Sequence, residues 1–376
     1  MRAARLLLFC CIGLLAACSS AAEPPSAWSA PQLIAPALQW NAPAAAASHG
    51  QIAFVWTGFD GEHVHHDARL STDETLQPPL VLPLPPTHPL DQRLVPGADG
   101  AFHLFWLDAA AAGGEGNRLY SALLTPGLQV ARGPVELSTG PTYSFAVIGR
   151  ETGGALAVWN QGNAAEPELW TVELDPTGLP RQPRQVAANS HYPALARRLD
   201  GAIQVFRESE GRLWSALWAE DGGLEWTPLT ATAGRLPGDR LEALWAAPCG
   251  QHLCVGWNIT RQDGRAESWL AYGAADAGTW AAPRKLEGLA WLTPESGTGN
   301  ESGDLYAAAQ TDAGLALVTL RDGVVAPQET AAANAELAGS PVLARLGGSL
   351  VLSWAETGPD YAQLWFSQRT LPNDEP

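Results

Sequence analysis

Short apolar runs recur along this chain, and they are apolar at successive positions instead of alternating. They are Ile52–Trp56, Phe102–Leu107, Ala155–Trp159, Ala202–Phe206, Leu253–Trp257, Leu305–Ala309 and Ser349–Trp354. Runs of strand length that are apolar on both faces predict strands packed on both sides. Each closes on a tryptophan or its stand-in: Trp56, Trp106, Trp159, Phe206, Trp257, the weaker Ala309, and Trp354, spaced 45 to 53 residues apart. A period in that range marks a solenoid, a propeller or an array.

A polar loop follows each anchor. A second apolar run comes next, carrying Leu70, Leu119-Tyr120, Leu169-Trp170, Leu213-Trp214, Trp269, Leu315–Leu320 or Leu364-Trp365. Asp/Gly/Pro turns end these runs, as at Asp175-Pro176-Thr177-Gly178 and Asp322-Gly323, where Asp binds its own backbone and Gly supplies positive φ. A short last stretch holds Pro228, Pro283 or Pro327, which suits an outer edge strand, where no ladder bond is lost. The unit is therefore a four-stranded blade. The final unit lacks its fourth strand, while Ala27-Trp28-Ser29-Ala30-Pro31-Gln32-Leu33 echoes Thr279-Trp280-Ala281-Ala282-Pro283-Arg284-Lys285-Leu286. The pattern predicts an all-β, seven-bladed β-propeller over residues 27–371, its ring closed by the N-terminal strand. Six or eight blades stay open, because the unit near Ala309 is degenerate. A β-sandwich, the main rival, leaves the period and the matched ends unexplained.

The N-terminus reads Met1-Arg2-Ala3-Ala4-Arg5, an apolar stretch Leu6–Ala17, then Cys18-Ser19-Ser20, the plan of a secretory signal too short to span a bilayer. Leu15-Ala16-Ala17-Cys18 resembles the lipobox of bacterial lipoproteins. That resemblance implies a signal peptide at residues 1–17, lipidation at Cys18, a flexible tether over 18–26, and an extracytoplasmic protein held on a membrane by its lipid. Ser19, where that family's inner-membrane proteins favour aspartate, implies the outer membrane if the host has one. Residues 372–376 are expected to form a disordered tail.

The formal charge is −17, and loss of Arg2 and Arg5 with residues 1–17 takes it to −19. This balance argues against nucleic acid and anionic lipid surfaces. In an oxidising compartment Cys249 and Cys254, on a tight hairpin, are expected to bridge. No cofactor is indicated, and no Ser/His/Asp order, phosphate loop or nucleophile elbow is present. His63 and His65 share a strand face and form a weak candidate metal pair without a third ligand.

Ala219-Glu220-Asp221-Gly222-Gly223-Leu224-Glu225-Trp226 resembles the Asp-box of sialidase-like propellers in its Asp, Gly and Trp, and Asp276-Ala277-Gly278-Thr279-Trp280 is a second likeness. The motif is shared by enzymes, lectins and receptors, so it implies a fold and not a chemistry. Arg93-Leu94-Val95-Pro96 is the nearest string to that family's first substrate arginine, with one residue too many before the proline, and the other active-site residues do not carry over.

In a propeller, loops between second and third strands share a face with the connections between blades. The post-anchor positions there are Asp60, Asp108, Asn160, Arg207, Glu208, Asn258, Gln310 and Glu356. The connections add Arg93 beside Asp91, Tyr143, His191 with Tyr192, Arg240 and Trp291. Polar groups converging on an aromatic-walled cleft suit a sugar or small ligand; each is also what any loop facing water carries. The sequence favours a binding module for a glycan or envelope protein, with a sialidase-like glycoside hydrolase and an envelope-assembly scaffold as alternatives.

Overall fold

The computed structural model describes residues 27–39, 41–72, 75–85, 88–109, 116–219, 223–232, 234–274, 280–296, 304–326 and 329–371. The signal peptide, Cys18, the 18–26 tether and the 372–376 tail lie outside the described residues. Among those described, the elements are strands, apart from one single-turn helix at Ala98–Gly100.

One strand, β1 (Gln32–Ala37), precedes the first meander: β2 (Ala44–Ser48), β3 (Gln51–Phe59) and β4 (Val64–Thr72), with short β5 (Thr75–Leu76) and β6 (Leu80–Val81) both on β4. Four antiparallel four-stranded sheets follow. They are β7 (Pro89–Pro96), β8 (Phe102–Asp108), β9 (Arg118–Leu124) and β10 (Val130–Glu136); β11 (Thr142–Gly149), β12 (Ala155–Gln161), β13 (Glu168–Leu174) and β14 (Arg184–Ala187); β15 (His191–Arg197), β16 (Ile203–Ser209), β17 (Arg212–Leu217) and β18 (Thr227–Ala231); and β19 (Arg240–Cys249), β20 (His252–Thr260), β21 (Ala266–Gly273) and β22 (Arg284–Leu286). Next come β23 (Ala290–Ser296), β24 (Leu305–Thr311) and β25 (Gly314–Arg321), with β26 (Val324–Val325) and β27 (Glu329–Ala333) on β25. The last meander is β28 (Val342–Leu346), β29 (Ser349–Glu356) and β30 (Ala362–Thr370). A parallel contact between β23 and β28 joins these two groups.

The apolar runs are the second strands, as their two-sided pattern predicts. Their alternate residues enter different seams. Ile52, Phe54 and Trp56 pack with Val351, Leu364 and Phe366, while Ala53 and Val55 pack with Phe102, Leu104 and Trp106. Phe105 and Leu107 turn the other way, onto Ala155, Ala157 and Trp159. The same rule carries the core from sheet to sheet, so the buried clusters lie between meanders and not within them. First strands lie against one another in order, β2 with β7, β11 with β7, β15 with β11, β19 with β15, β23 with β19 and β28 with β23, and β28 also lies against β2.

The N-terminal strand pairs with the C-terminal one: β1 runs antiparallel to β30, Gln32 opposite Phe366 and Ala37 opposite Ala362, and Trp28 bridges to Arg369. The echo between the chain's start and Thr279–Leu286 thus reports a shared place on the outer side of a third strand. Pro228 lies in outer strand β18, and Pro283 directly precedes β22. Cys249 and Cys254 form the expected disulfide, with a Cα–Cα distance of 5.8 Å.

One anchor is shifted. Trp106, Trp159, Trp257 and Trp354 lie opposite Tyr120, Trp170, Trp269 and Trp365, and each packs toward the preceding meander. In β16 the residue opposite the equivalent Trp214 is Arg207, and Phe206 points into the following seam. Arg207 therefore holds the anchor position. Its flat guanidinium lies 4.6 Å from the Trp226 ring and 5.4 Å from Trp214 and stacks as an indole would.

Candidate functional site

The post-anchor residues mostly serve the fold. Three indoles reach the side chain two residues on: Trp106 Nε1 donates to Asp108 Oδ2 (3.4 Å), Trp159 Nε1 to Gln161 Oε1 (2.9 Å) and Trp354 Nε1 to Glu356 Oε1 (2.8 Å). A buried indole N–H without a partner costs free energy, so an acceptor at that spacing satisfies the core. The position between them staples second strands to the connections. Asn160 Oδ1 accepts from Ser144 N (2.8 Å), Asn258 Nδ2 donates to Leu292 O (3.3 Å), and Gln310 Nε2 donates to Ala335 O (2.9 Å) while its Oε1 accepts from Leu337 N (3.0 Å). Glu208 Oε1 accepts from Gly211 N (2.6 Å), and Arg207 Nη1 donates to Ala188 O (3.0 Å) and Ser190 Oγ (2.8 Å). Burial pushes the Arg207 guanidinium below its usual pKa, with Glu208 opposing. Asp60 Oδ1 caps its own turn by accepting from Glu62 N and His63 N, which holds its carboxyl below the usual range.

The between-blade residues sit differently. Near their starts, β7, β11, β15, β19 and β23 each carry one residue more than the second strand beside them. Pro89 and Gln92 face Asp108 and Trp106; Thr142 and Ser144 face Gln161 and Asn160; His191 and Ala194 face Glu208 and Phe206; Leu241 and Ala243 face Ile259 and Asn258; Ala290 and Thr293 face Gln310 and Ala308. These are β-bulges, which re-aim side chains. They fall within two residues of the anchor end of the second strand in five consecutive sheets, and the first residue past each paired start is Leu90, Tyr143, Tyr192, Glu242 and Trp291, with Asp91 next to Leu90. Strands β2 and β28 pair without such a shift, so the row of bulges stops at these two sheets.

Two bulge aromatics adopt left-handed backbone, Tyr192 at φ 48° and Trp291 at φ 55°. Bulky residues pay strain there, and such strain clusters at functional sites. Tyr143 is exposed and donates through its hydroxyl to Gly162 O (2.6 Å). Arg93 pairs with Asp91 at 2.6 Å and lies 6.0 Å from the Phe145 ring of the next sheet. Asp91 keeps 30% of its side chain open to solvent, yet burial by surrounding protein raises its pKa, with Arg93 opposing. Burial lifts the Tyr192 phenol, Arg235 and Arg240 pull it down, and Glu208 and Glu242 raise it further. Arg240 pairs with Glu242 at 2.9 Å.

The structure thus brings Tyr192, Glu208, Arg240 and Glu242 into one charged neighbourhood and leaves Asp60, Gln310 and Glu356 in their own turns and connections. Glu242 and Arg235 belong to that neighbourhood, and their only signal in the sequence is nearness to Arg240.

His65 Nε2 pairs with Asp67 at 3.2 Å, and His63 lies 3.9 Å from Asp60. Among the described residues no group of three His, Cys, Asp or Glu could hold a metal. Of the Asp-box likenesses, Asp221, Gly222, Asp276 and Gly278 lie outside the described residues. Trp226 stacks on Arg207 and donates to Val186 O (3.1 Å). The turn at Asp175-Pro176-Thr177-Gly178 is closed on itself: Asp175 Oδ1 accepts from Thr177 Oγ1 (2.7 Å), Leu179 N (3.0 Å) and Thr177 N (2.8 Å), which hold its carboxyl below the usual range.

No family model and no curated protein matches the chain. Solved structures do. The chain is similar to polysaccharide lyase Uly1 at 10% identity and TM-score 0.61, covering 92% of this chain and 99% of that one. It is similar to the α-L-arabinofuranosidase Arb93A from Fusarium graminearum at 10% identity and TM-score 0.53, covering 76% and 94%. It is similar to the Hadza microbial sialidase Hz136 at 13% identity and TM-score 0.51, covering 89% and 66%. At these identities the likeness establishes the fold: an all-β architecture of antiparallel blades, as in the sialidase-like propellers.

Proposed function

We propose that this protein is a lipid-anchored extracytoplasmic glycan-binding module. It would be processed at Cys18, with residues 27–371 forming a seven-bladed propeller closed by the N-terminal strand. The observation that carries the binding role is the row of five bulges. A fold that needed only packing would have no reason to repeat one bulge at one end of five inner strands and to tolerate left-handed backbone at two aromatics there. Tyr143, Tyr192 and Trp291 offer faces for sugar rings. Asp91, Arg93, Arg240 and Glu242 offer charged hydrogen-bonding groups for hydroxyls and substituents. The solved relatives of the fold include proteins named for polysaccharide, arabinofuranoside and sialic acid chemistry, which supports a saccharide over a peptide.

Glycan-array screening followed by calorimetry on the Cys18→Ala protein tests this reading. Trp291→Ala and Tyr192→Ala should each weaken the selected glycan about five-fold, since an aromatic face contributes about 1 kcal/mol. Unchanged affinity in both, or a silent array, overturns it. Silence on arrays together with specific capture of an envelope protein would favour the assembly-scaffold reading.

The second reading, a sialidase-like glycoside hydrolase, is favoured by one feature: Tyr192 lies in the field of Glu208, Glu242, Arg235 and Arg240. It predicts turnover of a fluorogenic sialoside that is lost in Tyr192→Phe and Arg93→Ala.

A further inference from the structure

The face carrying the bulges is not the face where the chain enters the fold. Trp28 bridges to Arg369, Ser29 N donates to Gln368 O (2.7 Å), and Leu371 N donates to Gly348 O (2.8 Å) in the turn between β28 and β29. From there β1 runs the length of β30 and ends at Ala37, opposite Ala362, where the connection into β2 begins. The bulges lie at the starts of the inner strands, on the side where β1 ends. A segment preceding Ala27 therefore joins the molecule on the opposite face, among the turns linking first and second strands.

We propose that this mouth, the face carrying the bulges, is held pointing away from the bilayer and takes a glycan reaching it from the solvent side, not a lipid headgroup. This rests on the lipoprotein reading of Cys18 and on the mouth as the binding face. The lengths decide it. Nine residues from Cys18 to Ala27 reach at most about 30 Å when fully extended. Strand β30, at nine residues, is itself about 30 Å long at 3.3 Å per residue. To set the mouth on the membrane, the tether would have to lie taut along the whole depth of the last sheet. Any span shorter than that maximum leaves the entry face near the headgroups and the bulges on the far side. The acidic chain adds repulsion from an anionic bilayer, which disfavours lying flat on it.

The test uses the full-length lipidated protein in vesicles of phosphatidylethanolamine and phosphatidylglycerol carrying a headgroup-linked acceptor dye. Two single-thiol variants bracket strand β12. Thr152→Cys lies in the exposed turn before it, on the entry face, and Ala164→Cys lies in the exposed loop after it, on the mouth face. The native Cys249 and Cys254 are bridged. Mass spectrometry of Cys18 comes first: an unmodified cysteine sinks the anchor reading without touching the glycan site. With the lipid in place, energy transfer should be at least two-fold more efficient from Thr152→Cys than from Ala164→Cys, and a bulky thiol reagent should reach Ala164→Cys at the rate seen in solution. Equal transfer, or stronger transfer from Ala164→Cys, overturns the orientation. The readout needs no glycan, so it stands apart from any failure to find one.

Discussion

The ion pair between Glu295 and Arg345 crosses the seam between β23 and β28, and breaking it tests how that seam is held. Arg345 Nε lies 3.0 Å from Glu295 Oε2 and Nη2 3.4 Å from Oε1, and the guanidinium lies 5.4 Å from the Tyr306 ring. The Glu295 side chain is 1% exposed and that of Arg345 20%. Burial raises the Glu295 pKa, and Arg345 opposes that rise. Arg345→Met keeps the stem and leaves the buried carboxylate uncompensated except by the Tyr306 backbone N–H, which costs about 3 kcal/mol or more. At about 2 °C per kcal/mol, a conversion appropriate to a large domain, the Tm should fall by about 5–10 °C at pH 7. Glu295→Leu/Arg345→Met removes the stranded charge and should recover most of the loss, because a packed apolar pair can replace a buried ion pair at little cost. The sign of the pH dependence follows from the raised folded-state pKa. Protonated Glu295 suits the fold, so the stability it contributes is complete below its unfolded pKa and is lost as pH rises through the folded value. Without Arg345 the folded pKa climbs further, and the loss in Arg345→Met should steepen from about pH 4.5 upward. Calorimetric melting between pH 4 and 8 reads both effects. A loss below about 1 kcal/mol with a pH profile parallel to wild type would refute the reasoning.

Three further outcomes follow from local geometry. Gly256→Ala would place a Cβ 2.1 Å from Trp245 Cζ2 and should cost about 1–3 kcal/mol by overpacking, read from the urea midpoint at unchanged slope. Arg207→Ala should lose about 3 kcal/mol, since stem, stack and donated bonds go together, and Arg207→Met should recover about half by refilling the space; equal losses would mean the space-filling stem contributes nothing. Asp322 Oδ1 accepts from His252 Nδ1 (2.7 Å) and Gln251 N (3.1 Å), which depresses its pKa below the ordinary value. The stability it contributes is present above the unfolded pKa and lost as pH falls below about 4, so Asp322→Asn, which tolerates the left-handed backbone there, should flatten that acid limb and speed exchange of the Gln251 amide.

The architecture was legible because burial on both faces imposes a pattern that single residues cannot disguise. Ile52, Phe54 and Trp56 enter one seam while Ala53 and Val55 enter the next, and the sequence records both as one apolar run. The N-terminal strand was legible for a related reason: Trp28-Ser29-Ala30-Pro31 and Trp280-Ala281-Ala282-Pro283 serve the same outer position. The exchange at Arg207 was not legible, because a sequence pattern sorts residues by polarity, whereas the seam between Trp214 and Trp226 selects a flat, stackable group of any polarity. Phe206 was the apolar neighbour, and it took the anchor's name without its place.

The candidate site divides along the same physical line. A polar residue one or two places after an anchor tryptophan answers a need created by burial: an indole N–H, or a connection's backbone, must find a partner. Asp108, Asn160, Asn258, Gln310 and Glu356 meet those needs within the protein. A loop position alone could not separate this role from ligand contact, since both call for the same amides and carboxylates. A bulge differs, because it adds a residue the ladder does not use. Leu90, Tyr143, Tyr192, Glu242 and Trp291 share that position, and Asp91 lies beside the first of them in the β7 bulge. A surplus residue in a ladder costs pairing and, at Tyr192 and Trp291, backbone strain. Sites that cost the fold stability without serving its packing are where function is expected to lie, and here that criterion selects the five bulges over the eight post-anchor positions.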